Sequence, residues 1–163
     1  MRPVFIALIT LSVAHPARPA SFTATELMKL KRLADPSMSP DGKWVAYQAT
    51  EVELPSGASN TDVYMAPIAG GEPRRLTSHP KSDTRPRFSP DGKRLAFLSN
   101  RGGSSQVYLL ELAGGEAIPA TSLPGGADTF VWIDDRVLLV TSDVRPDGKP
   151  EDRKSTRLNS SHG

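Results

Sequence analysis

The chain has 163 residues, 37% of them apolar, which is enough for one folded core, and 15 Pro with 13 Gly interrupt it too often for long helices. Its net charge of +2 comes from the ends: without Arg2, Arg18, Arg153, Lys154 and Arg157, 15 basic residues face 18 acidic ones, a net −3 that gives a phosphate backbone no reason to bind and disfavours nucleic acid as a partner. Cys is absent, so disulfides, thiolate metal sites and thiol nucleophiles are excluded.

Met1-Arg2 leads into Val4 to Ala14 (VFIALITLSVA), a run too short to span a bilayer and of the right size for the core of a secretory signal. Residues 1–20 are therefore expected to be a signal peptide cleaved after Ala14 or nearer Ala20, leaving an exported, periplasmic or secreted protein with no membrane segment. A buried first strand is the alternative, but it would need neither the positive lead-in nor the exit at Pro16 and Pro19.

Residues 21–35 read as a lead helix. Thr23-Ala-Thr-Glu26 has capping-box spacing, Leu27, Leu30 and Ala34 share one face expected to point inward, and Pro36 stops the helix.

Residues 36–152 carry an internal repeat. Pro36-Ser-Met-Ser-Pro-Asp-Gly-Lys-Trp-Val-Ala-Tyr47 returns fifty positions later as Pro86-Arg-Phe-Ser-Pro-Asp-Gly-Lys-Arg-Leu-Ala-Phe97, with seven of twelve residues identical. A second anchor follows in the same order: Asp62-Val-Tyr to Gly-Gly-Glu72 matches Gln106-Val-Tyr to Gly-Gly-Glu116 at a spacing of 44, the difference being assigned to a loop insertion over 51–61. In each unit a strand ends at Met38 or Phe88, and Ser-Pro-Asp-Gly turns it, with Gly42 or Gly92 supplying the positive φ. Trp44 to Gln48 or Arg94 to Leu98 continues, Val63 to Ile68 or Val107 to Leu112 is third, and Arg74 to Thr77 is a short fourth. Four antiparallel strands in 44 to 50 residues fit one propeller blade. A weaker third unit runs from Phe130 to Thr141, with Trp132 in the place of Phe88, and its next turn falls at Arg145 to Lys149. The fold class is thus all-β: a partial propeller of two blades and part of a third. Its uncovered outer faces are expected to expose Trp44, Phe97, Trp132 and Val137 to Val140.

Residues 153–163 hold one apolar side chain, Leu158, and extend no blade. They resemble a translated sequencing-adapter read-through, so the tail is expected to be non-native and the reading frame truncated.

No catalytic, cofactor or metal residue is assigned. There is no Gly-x-Ser-x-Gly elbow; Gly102-Gly103-Ser104-Ser105 lies between strands and reads as a turn. His79 precedes Pro80 in a polar loop and reads as a solvated residue. Asp41 and Asp91 are explained by turn chemistry without a metal, and no calcium loop is present. Arg74, Arg75, Arg85 and Arg87 read as edge and loop charges, and Trp44, Tyr47, Phe88 and Phe97 as packing between blades.

Phe22 to Pro36, Ser39-Pro-Asp-Gly-Lys-Trp-Val-Ala-Tyr47, Gly70-Gly-Glu-Pro-Arg-Arg-Leu-Thr77 and Phe88 to Ser99 closely resemble the N-terminal region of secreted acylaminoacyl-peptidase-like enzymes of the prolyl oligopeptidase family, over residues 22–152. The resemblance implies a propeller that restricts peptide substrates' access to a C-terminal α/β-hydrolase domain. The Ser, Asp and His of that family's triad belong to the hydrolase domain, which this sequence does not contain, so none of them falls on a position here. Ser-Pro-Asp-Gly-Lys blades also resemble TolB-like periplasmic propellers, which implies the alternative of a non-enzymatic protein-binding module.

Overall fold

The computed structural model describes residues 23–54 and 56–143. The expected signal segment, the turn at 145–149 and the tail at 153–163 lie outside them. Within them one short helix, α1 (Ala24–Lys29), precedes ten strands. β1 (Arg32–Met38), β2 (Trp44–Val52), β3 (Ser59–Pro67) and β4 (Arg74–Arg75) form one antiparallel sheet in that order. β5 (Asp83–Phe88), β6 (Arg94–Ser99), β7 (Gln106–Glu111) and β8 (Ile118–Pro119) form a second in the same order. β9 (Thr129–Trp132) and β10 (Leu138–Thr141) make a third hairpin. The chain is an open, partial β-propeller.

The two Ser-Pro-Asp-Gly turns are built alike. Gly42 N–H donates to Ser39 O at 2.9 Å and Gly92 N–H to Ser89 O at 2.8 Å, both glycines at φ +69°. Each aspartate caps its own turn: Asp41 Oδ1 accepts from Ser39 Oγ at 2.6 Å and Lys43 N–H at 3.1 Å, and Asp91 Oδ1 accepts from Ser89 Oγ and Lys93 N–H at the same two distances. A Cβ at Gly42 would meet nothing, so the penalty for Gly42→Val lies wholly in its left-handed backbone. A loss of about 1–2 kcal/mol is expected, read as a lower urea midpoint, and more than a β-branch-free Gly42→Asn would cost.

A second repeated device lies in the innermost strands. The β1–β2 register slips between Ala34 and Ser37, and the β5–β6 register between Thr84 and Arg87. The bulged residues Asp35 and Arg85 sit at φ 55° and 54°, each directly before a proline. Arg87 Nη2 reaches back 2.7 Å to Asp35 Oδ1 and ties the second blade's bulge to the first's.

The lead helix is shorter than its sequence pattern predicts. The capping box forms as expected, with Glu26 N–H donating to Thr23 Oγ1 at 3.2 Å and Thr23 N–H donating to Glu26 Oε2 at 2.8 Å. Six residues make too short a helix to hold itself together, however, and β1 takes over at Arg32 by pairing Arg32, Leu33 and Ala34 with Thr50, Ala49 and Gln48. Pro36 therefore stops no helix; it lies inside β1 at the bulge, where no ladder N–H is needed. Leu27 and Leu30 point outward rather than inward. The extra residues assigned to a loop at 51–61 instead lengthen the hairpin, since Val52 pairs with Ser59.

Alternation along the strands gives each blade two apolar faces. Leu95, Phe97, Tyr108 and Leu110 on one face of the second blade bury against Ala46, Val63 and Met65 of the first. Ala96, Leu98 and Val107 on its other face bury against Phe130 of the third hairpin, backed by Trp132, Leu138 and Val140. Phe97 is consequently fully buried and not exposed as its position in a partial ring suggested, because its face is the one that the first blade covers.

Candidate functional site

Where the first two blades meet at the Ser-Pro-Asp-Gly end, their sheets diverge around a cleft of about 650 Å³. Trp44, Met65 and Pro67 line it from the first blade and Phe88 and Leu112 from the second, with Asp41, Glu72, Arg74 and Asp91 also in its wall. Trp44 begins β2 and is 38% exposed, so it packs between blades as the sequence suggests but keeps part of its indole uncovered. Phe88 closes β5 and is buried. The paired turns set Asp41 and Asp91 on either side because Gly92 packs beside Pro40.

The hydroxyls of Ser39 and Ser89, together with the Lys43 and Lys93 amides, hold the Asp41 and Asp91 carboxyls below the usual aspartate range. A depressed folded-state value stabilises the fold above the unfolded value of 3.8 and loses that contribution as pH falls through the folded one. On acidification into that window the melting temperature is expected to drop, and an Asp41→Asn, Asp91→Asn double variant to show a shallower acid limb in thermal melts followed by circular dichroism.

At the opposite ends of the strands lies a buried polar network. Asp62, at 3% exposure, accepts from Arg75 Nη2 at 2.6 Å and from Thr77 Oγ1 at 3.3 Å, and Thr77 Oγ1 accepts from Val63 N–H at 3.0 Å. The second blade repeats it without charge: Thr121 Oγ1 donates to Gln106 Oε1 at 2.7 Å and accepts from Val107 N–H at 3.0 Å. Burial pushes the Asp62 carboxyl up despite the Arg75 guanidinium pulling the other way, so this pair orders the strand end more than it stabilises the fold. Asp83, fully buried, meets Arg101 Nη2 at 2.8 Å, and that guanidinium lies 4.6 Å from the Tyr108 ring centroid and 5.6 Å from that of Phe97. The sequence reading did not single out this network. Its signal was present in Thr77 and Thr121, spaced by 44 like the Asp62 and Gln106 they bond.

The residues weighed for chemistry are not brought together. His79 Nδ1 accepts from Lys81 N–H at 3.0 Å, and its carbonyl accepts from Asn60 Nδ2 at 2.9 Å, within a loop-lined cavity that neither Ser104 nor Ser105 reaches. Ser104 Oγ accepts from Gln106 Nε2 and Ser105 O from Ala127 N–H, so both serve the turn that holds them. Arg75 and Arg87 are in ion pairs with Asp62 and Asp35, and Arg85 Nη1 donates to Asp128 O at 2.9 Å; Arg74 alone of the four lines the cleft. Among the described residues no three of His, Cys, Asp and Glu stand close enough to hold a metal ion.

Comparison with known proteins extends this picture. Over 142 residues the chain is 35% identical to the uncharacterized peptidase YuxL of Bacillus subtilis, covering 85% of this chain and 21% of that protein. Over 83 residues it is 37% identical to the Tol-Pal system protein TolB of Francisella tularensis, covering 50% of this chain and 18% of that one. The Pyrococcus horikoshii acylaminoacyl peptidase superposes with a TM-score of 0.59 at 25% identity, over 74% of this chain and 19% of that one. The chain thus spans about a fifth of the length of these relatives. Residues 58–159 match the family described as the tricorn protease N-terminal beta propeller domain, a match that runs into the segment set aside at 153–163. That match takes in more than half of the chain, which therefore belongs to the tricorn N-terminal β-propeller family.

Proposed function

We propose that this chain is the propeller part of an exported serine peptidase of the acylaminoacyl-peptidase type, and that it restricts peptide access to an α/β-hydrolase domain following it. The observation that carries the reading is the 35% identity to a peptidase along 85% of the chain, over both blades and the third hairpin. In keeping with it, His79 Nδ1 and Ser104 Oγ are held in hydrogen bonds of their own loops. Residues 153–163 are set outside the native protein in this reading, and residues 1–20 direct export.

The coding region downstream of codon 152 tests the proposal. A Gly-x-Ser-x-Gly elbow on a strand-to-helix turn supports it, and joining that domain to this chain should then yield cleavage of acyl-alanine nitroanilides that falls off for folded protein substrates. Further blades followed by a stop would sink it and favour the second reading, a TolB-like protein-binding propeller, for which the 37% identity to TolB over 83 residues speaks.

A further inference from the structure

The cleft between the first and second blades has a counterpart between the second blade and the third hairpin, where an arginine meets an aromatic ring. There Arg94, fifty positions after Trp44, lays its guanidinium over the Trp132 ring at 5.5 Å from the centroid. Arg94 Nε lies 4.0 Å from Glu111 Oε1, and Nη2 donates to the Asp135 carbonyl. An aromatic ring facing a cation flanked by a carboxylate thus bridges these two neighbouring sheets.

In the first cleft both of those positions are aromatic. Trp44 stands where Arg94 stands, and Phe88 where Trp132 stands, leaving rings on both sides of a space of about 650 Å³. Asp41, Asp91, Glu72 and Arg74 stand in its wall; Lys43 Nζ lies 3.8 Å from Asp41 and Lys93 Nζ 4.0 Å from Asp91, whereas Glu72 is in no ion pair among the described residues. Rings whose quadrupoles turn an electron-rich face to the space, with the Glu72 carboxylate in the same wall, select a cation with an apolar stem.

We propose that the cleft between the first two blades binds an arginine side chain presented by a peptide segment of another polypeptide, its guanidinium over Trp44 and its charge met by Glu72. A planar guanidinium fits better than an ammonium because it stacks on a ring and hydrogen-bonds carboxylates at once. This site does not depend on a hydrolase domain and goes beyond the role proposed above.

The probes are acetyl-Gly-Arg-Gly-amide and its citrulline counterpart, which keeps shape and loses charge, titrated against the 163-residue chain by ligand-observed NMR. The arginine peptide is expected to bind about tenfold more tightly. Trp44→Arg, which plants in the first cleft the residue that fills the second, should abolish the preference, and Glu72→Gln should weaken it severalfold, with circular dichroism unchanged in both. Equal binding of the two peptides, or a preference that survives Trp44→Arg, overturns the proposal. Should Trp44→Arg fail to fold, an unaltered preference in Glu72→Gln overturns it instead.

Discussion

Arg101→Met is expected to destabilise the fold by about 3–5 kcal/mol, a large share of a domain's net stability. The loss comes less from the missing contact than from what stays behind. Asp83 is fully buried at the start of β5, and Arg101, whose side chain is 17% exposed, is the guanidinium that compensates its charge. Removing Arg101 strands the carboxylate in a medium that cannot solvate it, and uncovers the Tyr108 and Phe97 rings on which the guanidinium lies. Asp83→Asn should cost less, about 1–3 kcal/mol, since Arg101 can still turn its partly exposed head to water. The Asp83→Leu, Arg101→Met double variant, with no charge to bury, should recover most of the loss. Urea midpoints of the single and double variants decide it: a double variant no more stable than Arg101→Met would show that the pair stabilises through attraction and not through mutual compensation.

The 163-residue chain, expressed as it is, should self-associate, bind apolar dyes and melt over a broad range. Two faces are open. On the first blade Leu33 and Met38 are 63% and 65% exposed, on the side away from the second blade. On the third hairpin Val131 and Leu139 pair on the face turned away from Phe130 and are 52% and 58% exposed. At about 25 cal/mol per Å², a few hundred Å² left wet forgoes several kcal/mol, comparable with net stability itself. Charging one face by Leu33→Lys with Met38→Lys should cut dye binding and shift the chain towards monomer in sedimentation. A sharp melt from a monodisperse wild-type monomer would show that these residues close a core unaided.

Features set by nearest neighbours were legible in the sequence. The turns at Ser39 to Gly42 and Ser89 to Gly92 follow from Pro, Asp and Gly within four residues, and the structure repeats them nearly bond for bond. The blade count followed from the two spacings, 50 and 44. Features set by partners distant in the chain were harder to read. Residues 21–35 carry Leu27, Leu30 and Ala34 at helical spacing before a stop at Pro36, yet pairing of Arg32, Leu33 and Ala34 with Thr50, Ala49 and Gln48 draws the end of the segment into a strand, an outcome no local pattern contains. Asp83 and Arg101 stand 18 positions apart, outside the repeated motifs, and meet only once β5 and β6 are in register. The cleft was half legible: Trp44 and Phe88 were read as packing between blades, but that their rings border a space follows from how far the two sheets diverge, which no local pattern contains.

The bulged prolines of the innermost strands limit how copies of this chain can stick to one another. Each complete sheet ends on one side in β1 or β5 and on the other in β4 or β8. Pro36 and Pro86 deprive the inner rims of a backbone donor just where the register slips, so an incoming strand finds no continuous row of amides to zip against. The outer rims are two residues long, Arg74–Arg75 and Ile118–Pro119, the first charged and the second interrupted by proline. Growth by strand addition into a cross-β fibre is then blocked at the four rims of the two complete sheets, and association through these sheets must stack face upon face.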